Sequence, residues 1–313
     1  MGTPLALGID VGATKVAFAI VDAHGAVLAS HRMPTHAAGD NDLSTRFRTT
    51  VRAFLADASP VACVGIGSAG PIDRSAGTIS PVNIAAWRDF AIVDAAQQLA
   101  GTPRIELIGD AQAMAFGEFA FGAGRGSRNM LGVVVSTGIG GGLVLDGALH
   151  LGSSVNAGFI GHIIHAVDGD PCACGGRGCV EAYASGPSMT TWAAAHGCAA
   201  PAERFEDIAL AAHHDDPVAQ AAIERGMGAL AHALATAAVL NDLDRIVVGG
   251  GVADAGNVIH EPLQRAFADA MRHAPFIVAN ALHWSALGAQ AGVIGAATFA
   301  LRRAFPELVP TPT

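Results

Sequence analysis

Three cysteines, Cys172, Cys174 and Cys179, crowd into eight residues, and His162 precedes the first of them by ten. Three thiolates and one imidazole are the Cys₃His set of a closed structural Zn²⁺ site. The glycines between the cysteines let the chain turn tightly enough for the sulfurs to converge. Two other readings stand beside this one: His165 as the nitrogen ligand, and a set of reduced thiols with no ion. Two glycine-rich stretches form a second constellation. In one, Asp10 precedes Gly12, Ala13, Thr14 and Lys15; in the other, Ser136 and Thr137 precede Gly138, Gly140, Gly141 and Gly142. Glycine brings backbone N–H groups close to an anion, and the threonine hydroxyls add donors. Neither stretch has the P-loop spacing G-x-x-x-x-G-K-[ST]. A dinucleotide fingerprint also fails, because the sixth position from Gly138 is Leu143 and a strand pattern follows. Asp10, at a strand end, is placed to hold hydrated Mg²⁺ or to line a phosphate site. Either stretch alone reads as a hairpin turn; two facing each other across a cleft point to a nucleotide.

Asp110 is the third feature. It follows the apolar run Arg104–Ile108 and opens a helical pattern. An Asp there is an ordinary N-cap. It is equally the carboxylate that orients a hydroxyl and takes its proton late in phosphoryl transfer, and a helix N-terminus keeps it ionised at neutral pH. The position alone serves both roles.

The elements that must hold these residues follow from periodicity. The segments opening at Leu5 and at Leu131 each read strand, glycine-rich turn, strand, Asp/Gly turn (Asp22 to Gly25; Asp146 and Gly147), strand. Such an echo predicts two similarly folded halves. Ala62–Ile66, Arg104–Ile108 and Arg245–Val248 read as further buried strands, the last ending in Gly249, Gly250 and Gly251. Helical patterns cover Thr45–Ala58, Asp89–Leu99, Ala111–Phe119 and Gly288–Phe305, with Ala-rich helical stretches after the cysteines and a frayed tail at Pro310–Thr313. The expectation is an α/β protein of two lobes, residues 1–125 and 126–313, dividing near Gly124–Arg128, with ligands in the cleft between them. The last helix is free to pack back on the N-terminal lobe.

Composition bounds the function. Of 313 residues 51% are apolar, 14% are charged and 39 are glycine, a balance that suits a compact α/β chain with many tight turns. A net charge of −9 with no Lys/Arg cluster argues against nucleic acid and anionic membranes as partners. No apolar run approaches the roughly 18 residues of a membrane span. With no basic segment leading into an apolar signal core, the expected location is the cytoplasm. Cysteines in a reducing compartment are not a disulfide framework, and the isolated Cys63 and Cys198 read as small buried residues.

Taken together, these motifs resemble the ROK (repressor–kinase) sugar kinase family of the two-lobed actin-like ATPase, ribonuclease H-like, fold, from Leu5 to about Phe299. Asp10–Lys15 resembles its first phosphate motif, with Ala13 where Gly is usual, and Ser136–Gly142 its second. Gly249–Gly251 resembles its adenosine motif, Gly67–Pro71 and Asn83 to Trp87 its sugar-side loops, and Gly109–Ala111 its Asn-Asp-Ala catalytic motif. Cys172–Glu181 reproduces the family signature C-x-C-G-x-x-G-C-x-E. The resemblance implies MgATP bound by Asp10, Gly12, Thr14, Lys15, Thr137, Gly138, Gly249 and Gly250. It implies Asp110 as the base on a sugar hydroxyl, and a structural Zn held by His162, Cys172, Cys174 and Cys179. It places Gly70, Asn83, His162 and Glu181 at the sugar, and it implies a homodimer or homotetramer. The activity expected is phosphorylation of a hexose, as by a glucokinase.

Two departures bear on the substrate. Phe159 stands where the family motif Gly-Glu-Ile-Gly-His has its sugar-binding Glu, and Gly109 stands where the catalytic motif has Asn. Losing a hydrogen-bonding partner changes discrimination strongly at such a site. A substituted hexose, N-acetylmannosamine or N-acetylglucosamine, is therefore the alternative to glucose. A sugar-sensing regulator is the reading from another class, but only nine residues precede Asp10 and the chain is acidic.

Overall fold

The N-terminal meander opens with a hairpin whose two strands are apolar on both faces. In a computed structural model describing residues 3–36, 42–200, 203–279 and 281–307, β1 (Ala6–Val11) pairs antiparallel with β2 (Lys15–Val21), which pairs with β3 (Val27–Pro34). Helix α1 (Leu43–Ala56) follows, N-capped by Asp42, whose carboxylate accepts from the Thr45 N–H. That cap starts the helix two residues ahead of its periodic pattern. Strand β4 (Cys63–Ser68) lies parallel to β1; the short pair β5 (Ile72–Asp73) and β6 (Thr78–Ile79) comes next. Helix α2 (Ile92–Ala100) begins three residues later than the pattern from Asp89, because Phe90 is held extended by backbone bonds to Ile79 and Asp89 has φ +51°. Strand β7 (Ile105–Gly109) runs straight into α3 (Asp110–Phe121).

The second half repeats the plan. β8 (Met130–Val135), β9 (Ile139–Leu145) and β10 (Ala148–His150) form the second meander. After the cysteine loop come α4 (Glu181–Ala184), α5 (Gly186–Ala195), α6 (Phe205–His213) and the long α7 (Pro217–Asn241). β11 (Arg245–Gly249), α8 (Asn257–Met271), β12 (Leu282–Trp284) and α9 (Ala291–Ala304) close the chain. The sheet orders are β3-β2-β1-β4-β7 and β10-β9-β8-β11-β12: in each, three antiparallel strands continue into two parallel ones. The echo in the sequence is thus a repeat in the fold. β12 has only three residues, too few for a periodic signal. The tail at Pro310–Thr313 lies outside the described residues.

The inner strands of each sheet are buried on both faces, while the edge strands β3 and β10 are largely exposed, and the two faces differ in residue size. On β1, Leu7, Ile9 and Val11 pack with Phe47 and Val51 of α1 and Ile92 of α2. The other face is floored by small residues, and α9 lies directly on it: a Cβ on Gly65 would overlap the Ala296 carbonyl. The second sheet has the same asymmetry. Leu131, Val133 and Val135 pack with Met227 and Leu230 of α7, and Gly132 and Gly142 receive α3. Helices α3 and α9 touch each other between the sheets, where a Cβ on Gly295 would overlap the Ala113 carbonyl. Close-packed backbones of this kind leave no space for relaxation, so the N-terminal ends of both helices are fixed against the strand ends of β1 and β4. Among the described residues, no helix is long and apolar enough to cross a membrane.

Candidate active site

Strands β1, β4 and β7 end in line: Val11 pairs with Ser68, and Ser68 with Gly109. One residue inside that line on β1 is Asp10; one residue beyond it on β7 is Asp110. Gly67 separates them, and a Cβ there would lie 3.6 Å from the Asp110 Cα and 3.8 Å from Asp10 Oδ1. From the α9 side, a Cβ on Gly292 would come within 2.5 Å of Asp10 Oδ2. Two carboxylates therefore converge because glycines stand on either side of them. Both keep an edge in solvent but are enclosed by protein on most sides. Burial first, and the Asp110 charge second, push the Asp10 carboxyl up to about 7, with Lys15 opposing them. Burial also raises Asp110, against the pull of the Ala111 N–H, which donates to Asp110 Oδ1 at 2.8 Å. Acid oxygens of this kind, short of positive charge, suit a hard cation such as Mg²⁺.

The first glycine-rich turn is tight: the Gly12 N–H donates to the Lys15 carbonyl at 3.0 Å. Buried Thr35 braces it, its hydroxyl donating to the Ala13 carbonyl at 2.7 Å and its N–H to that of Thr14. Thr14 and Lys15 stay exposed. The second turn closes through the Ser136 N–H on the Gly138 carbonyl and leaves Thr137 exposed. Glu181 reaches that turn, accepting from the Ile139 N–H at 2.7 Å. Gly250, at φ +97°, carries the chain from β11 across Val135, and the Val252 N–H donates to the Val135 carbonyl. A Cβ on Gly251 would then sit 3.6 Å from Ser136 Oγ, so the stretch Gly249–Gly251 adjoins the second turn. On β9, a Cβ on Gly140 would come within 2.8 Å of the Ala111 Cβ. That contact sets the second turn beside the first turn of α3, and Asp110 lies between the two glycine-rich turns.

The cysteine loop converges as the spacing requires. Ligand atoms of His162, Cys172, Cys174 and Cys179 all lie within 4.8 Å of one another. Cys174 Sγ is 3.7 Å from Cys179 Sγ, and Cys172 Sγ is 3.9 Å from His162 Nδ1. Zn–S bonds of about 2.3 Å in a tetrahedron span edges of about 3.8 Å, so the set fits zinc. Burial and the neighbouring thiols push Cys179 up to about 12; a dication among the sulfurs reverses that cost. His165 is outside the cluster, stacked on His232 at 5.3 Å and edge-on to Tyr183. The loop is clamped from α7: Arg225 bonds Asp170 at 2.6 Å and lies 4.2 Å over the Tyr183 ring, and the Tyr183 hydroxyl accepts from the Asp170 N–H.

The remaining expected residues are placed less closely. Gly70 begins the cis bond to Pro71, two residues past Ser68. Asn83 is exposed on a loop anchored by buried Ile84 and Trp87. Trp87 stacks on Phe90 at 4.6 Å and donates to Ser44, so it belongs to the core rather than to a sugar-facing surface. Phe159 is 47% exposed, with its ring 5.2 Å from that of His162. Sequence reasoning missed Gln112, which is buried and hydrogen-bonded on both sides of its amide. Its signal was legible: a Gln at the third helical position reaches back to the capping N–H.

Similar proteins have matching outlines. A glucokinase of Streptomyces coelicolor is 31% identical over 95% of this chain and 97% of its own length. An N-acetylmannosamine kinase of Vibrio cholerae is 34% identical over 79% of this chain and 83% of its own. The crystal structure of a ROK family glucokinase from Streptomyces griseus, in complex with glucose and AMPPNP, superposes with a TM-score of 0.79 at 30% identity, over 95% of this chain and 99% of that one. Residues 6–303 match the ROK family, and with paired glycine-rich turns, a carboxylate between them and a cysteine–histidine cluster, the chain belongs to that family.

Proposed function

We propose that this protein phosphorylates a hexose hydroxyl with ATP, and that Asp110 is its base. The observation that carries the reading is the position of Asp110, on the helix end between two glycine-rich turns and beside Asp10. Phosphoryl transfer asks mostly for positioning and charge stabilisation. The backbone N–H groups around Gly12 and Gly138, with Thr14, Lys15 and Thr137, hold the phosphates; Gly249 and Gly250 border the nucleoside. Asp10 would hold the hydration shell of the Mg²⁺ that accompanies ATP, an ion that would supply charge neutralisation at the phosphates. Asp110 accepts the sugar hydroxyl proton as the oxygen bonds to the γ-phosphorus and ADP departs. Gly70, Asn83, His162 and Glu181 line the sugar side. A zinc ion held by His162, Cys172, Cys174 and Cys179 would be structural, fixing the loop from which Glu181 follows. Asp110 is the first residue of α3 and Gly109 its N-cap, so Asp110 is not the cap its position suggested. Replacement Asp110→Asn keeps size and the acceptor for the Ala111 N–H but removes the base, and turnover should fall roughly 10²- to 10⁴-fold at unchanged melting temperature. Unchanged turnover would remove Asp110 from the chemistry; a collapse of stability would make its role structural.

Glucose is the first substrate to test. The half-exposed ring of Phe159 favours a second reading, a kinase for an N-acetylated hexose such as N-acetylmannosamine or N-acetylglucosamine. An acetamido methyl packs on an aromatic face at no cost, whereas a hydroxyl directed there loses a partner.

A further inference from the structure

Gly109 leaves a vacancy on the turn that carries the base, and the side chain of a neighbour fills it. The backbone there (φ −67°, ψ 149°) is open to any residue. A Cβ added to Gly109 would point at the Gln112 amide, 3.4 Å from its Oε1 and 3.7 Å from its Cδ. Gln112 is 3% exposed, and a buried primary amide needs partners. Its Oε1 accepts from the Gly109 N–H at 3.1 Å, and its Nε2 donates to the Ala157 carbonyl at 3.3 Å. The first bond holds the turn from which Asp110 projects. The second holds the segment that runs through Gly158 and Phe159 into His162. The helix cannot slide to compensate, because a Cβ on Gly142 of β9 would already come within 2.6 Å of the Gln112 Cα.

We propose that Gln112 is a positioning residue for phosphoryl transfer: its amide ties the Asp110 turn to the Phe159–His162 segment and sets the base against the sugar. This rests on the reading of Asp110 as the base. Capping alone would need only the acceptor, since a glutamate at the same helical position also accepts from the Gly109 N–H. The donor to Ala157 is what distinguishes a tether from a cap.

The test is steady-state kinetics and melting of Gln112→Glu, Gln112→Ala and the double variant Gly109→Asn/Gln112→Ala, with Asp110→Asn beside them. For Gln112→Ala, kcat/KM for the sugar should fall roughly 10- to 100-fold, the scale of a misplacement of about 1 Å, with KM for ATP held. Gln112→Glu should lose as much although it keeps the cap. In the double variant the new amide enters the space that Gln112 vacates, and much of the lost kcat/KM should return. The proposal is overturned if Gln112→Glu matches the wild type, which leaves only a cap. It is equally overturned if the double variant does no better than Gln112→Ala, or if ATP and sugar constants fall together with the melting temperature. Failure of the Asp110 reading shows separately, as full turnover in Asp110→Asn.

Discussion

Asp10 and Phe159 make the residue-scale account testable in two ways besides the base itself. The Asp10 carboxyl is raised to about 7 by burial first and by Asp110 second. A carboxyl raised on folding stabilises the protein at low pH, and that contribution is lost as pH climbs from about 4 through about 7. The melting temperature of wild type minus that of Asp10→Asn should therefore decline over this range in the absence of Mg²⁺ and nucleotide; a flat difference would contradict the buried carboxyl. Taking the difference matters, since Asp42, Asp73 and Asp216 are held low by hydrogen bonds and act in the opposite sense. Phe159 concerns specificity. Because Phe159 is 47% exposed, Phe159→Glu buries no unpaired charge, so the fold should tolerate it. kcat/KM for glucose should rise relative to the N-acetylated hexoses. A drop in melting temperature with no gain for any sugar would mean that Phe159 serves packing alone.

At the scale of elements, the cysteine loop is the part that spacing described best. Cys172, Cys174 and Cys179 with His162 gather as their order suggests, because glycines at φ +89° and +72° turn the chain between the sulfurs. Purified protein should carry about one Zn²⁺ per chain. Cys179→Ser should lose the metal and weaken sugar binding together, because Glu181 follows two residues on and braces the second glycine-rich turn. Active protein free of metal by elemental analysis would contradict the assignment. Other placements were not legible. Trp87 lies in a stretch resembling a sugar-side loop, yet its volume fits the space between Phe47 and Phe90. The clamp of Arg225 on Tyr183 and Asp170 joins residues far apart in the chain, and no local pattern foretells such contacts.

The whole molecule is a repeat whose two copies share their central helices. The meanders at Leu5 and Leu131 were readable because a strand–glycine turn–strand pattern is local. Which helix would cover which sheet was not, since the packing of α3 on β9 and of α9 on β1 depends on long-range fit at small residues such as Gly65 and Gly142. The same crossing brings Asp10, Asp110 and the second glycine-rich turn together, so the chemistry depends on the arrangement as a whole. The most direct test of that chemistry is ADP release with MgATP over a panel of glucose, mannose, N-acetylglucosamine and N-acetylmannosamine, for wild type and Asp110→Asn in parallel. The account predicts sugar-dependent ADP formation with at least one of these hexoses and its near-complete loss in the variant. ADP release that no hexose stimulates, or that Asp110→Asn sustains in full, would contradict it.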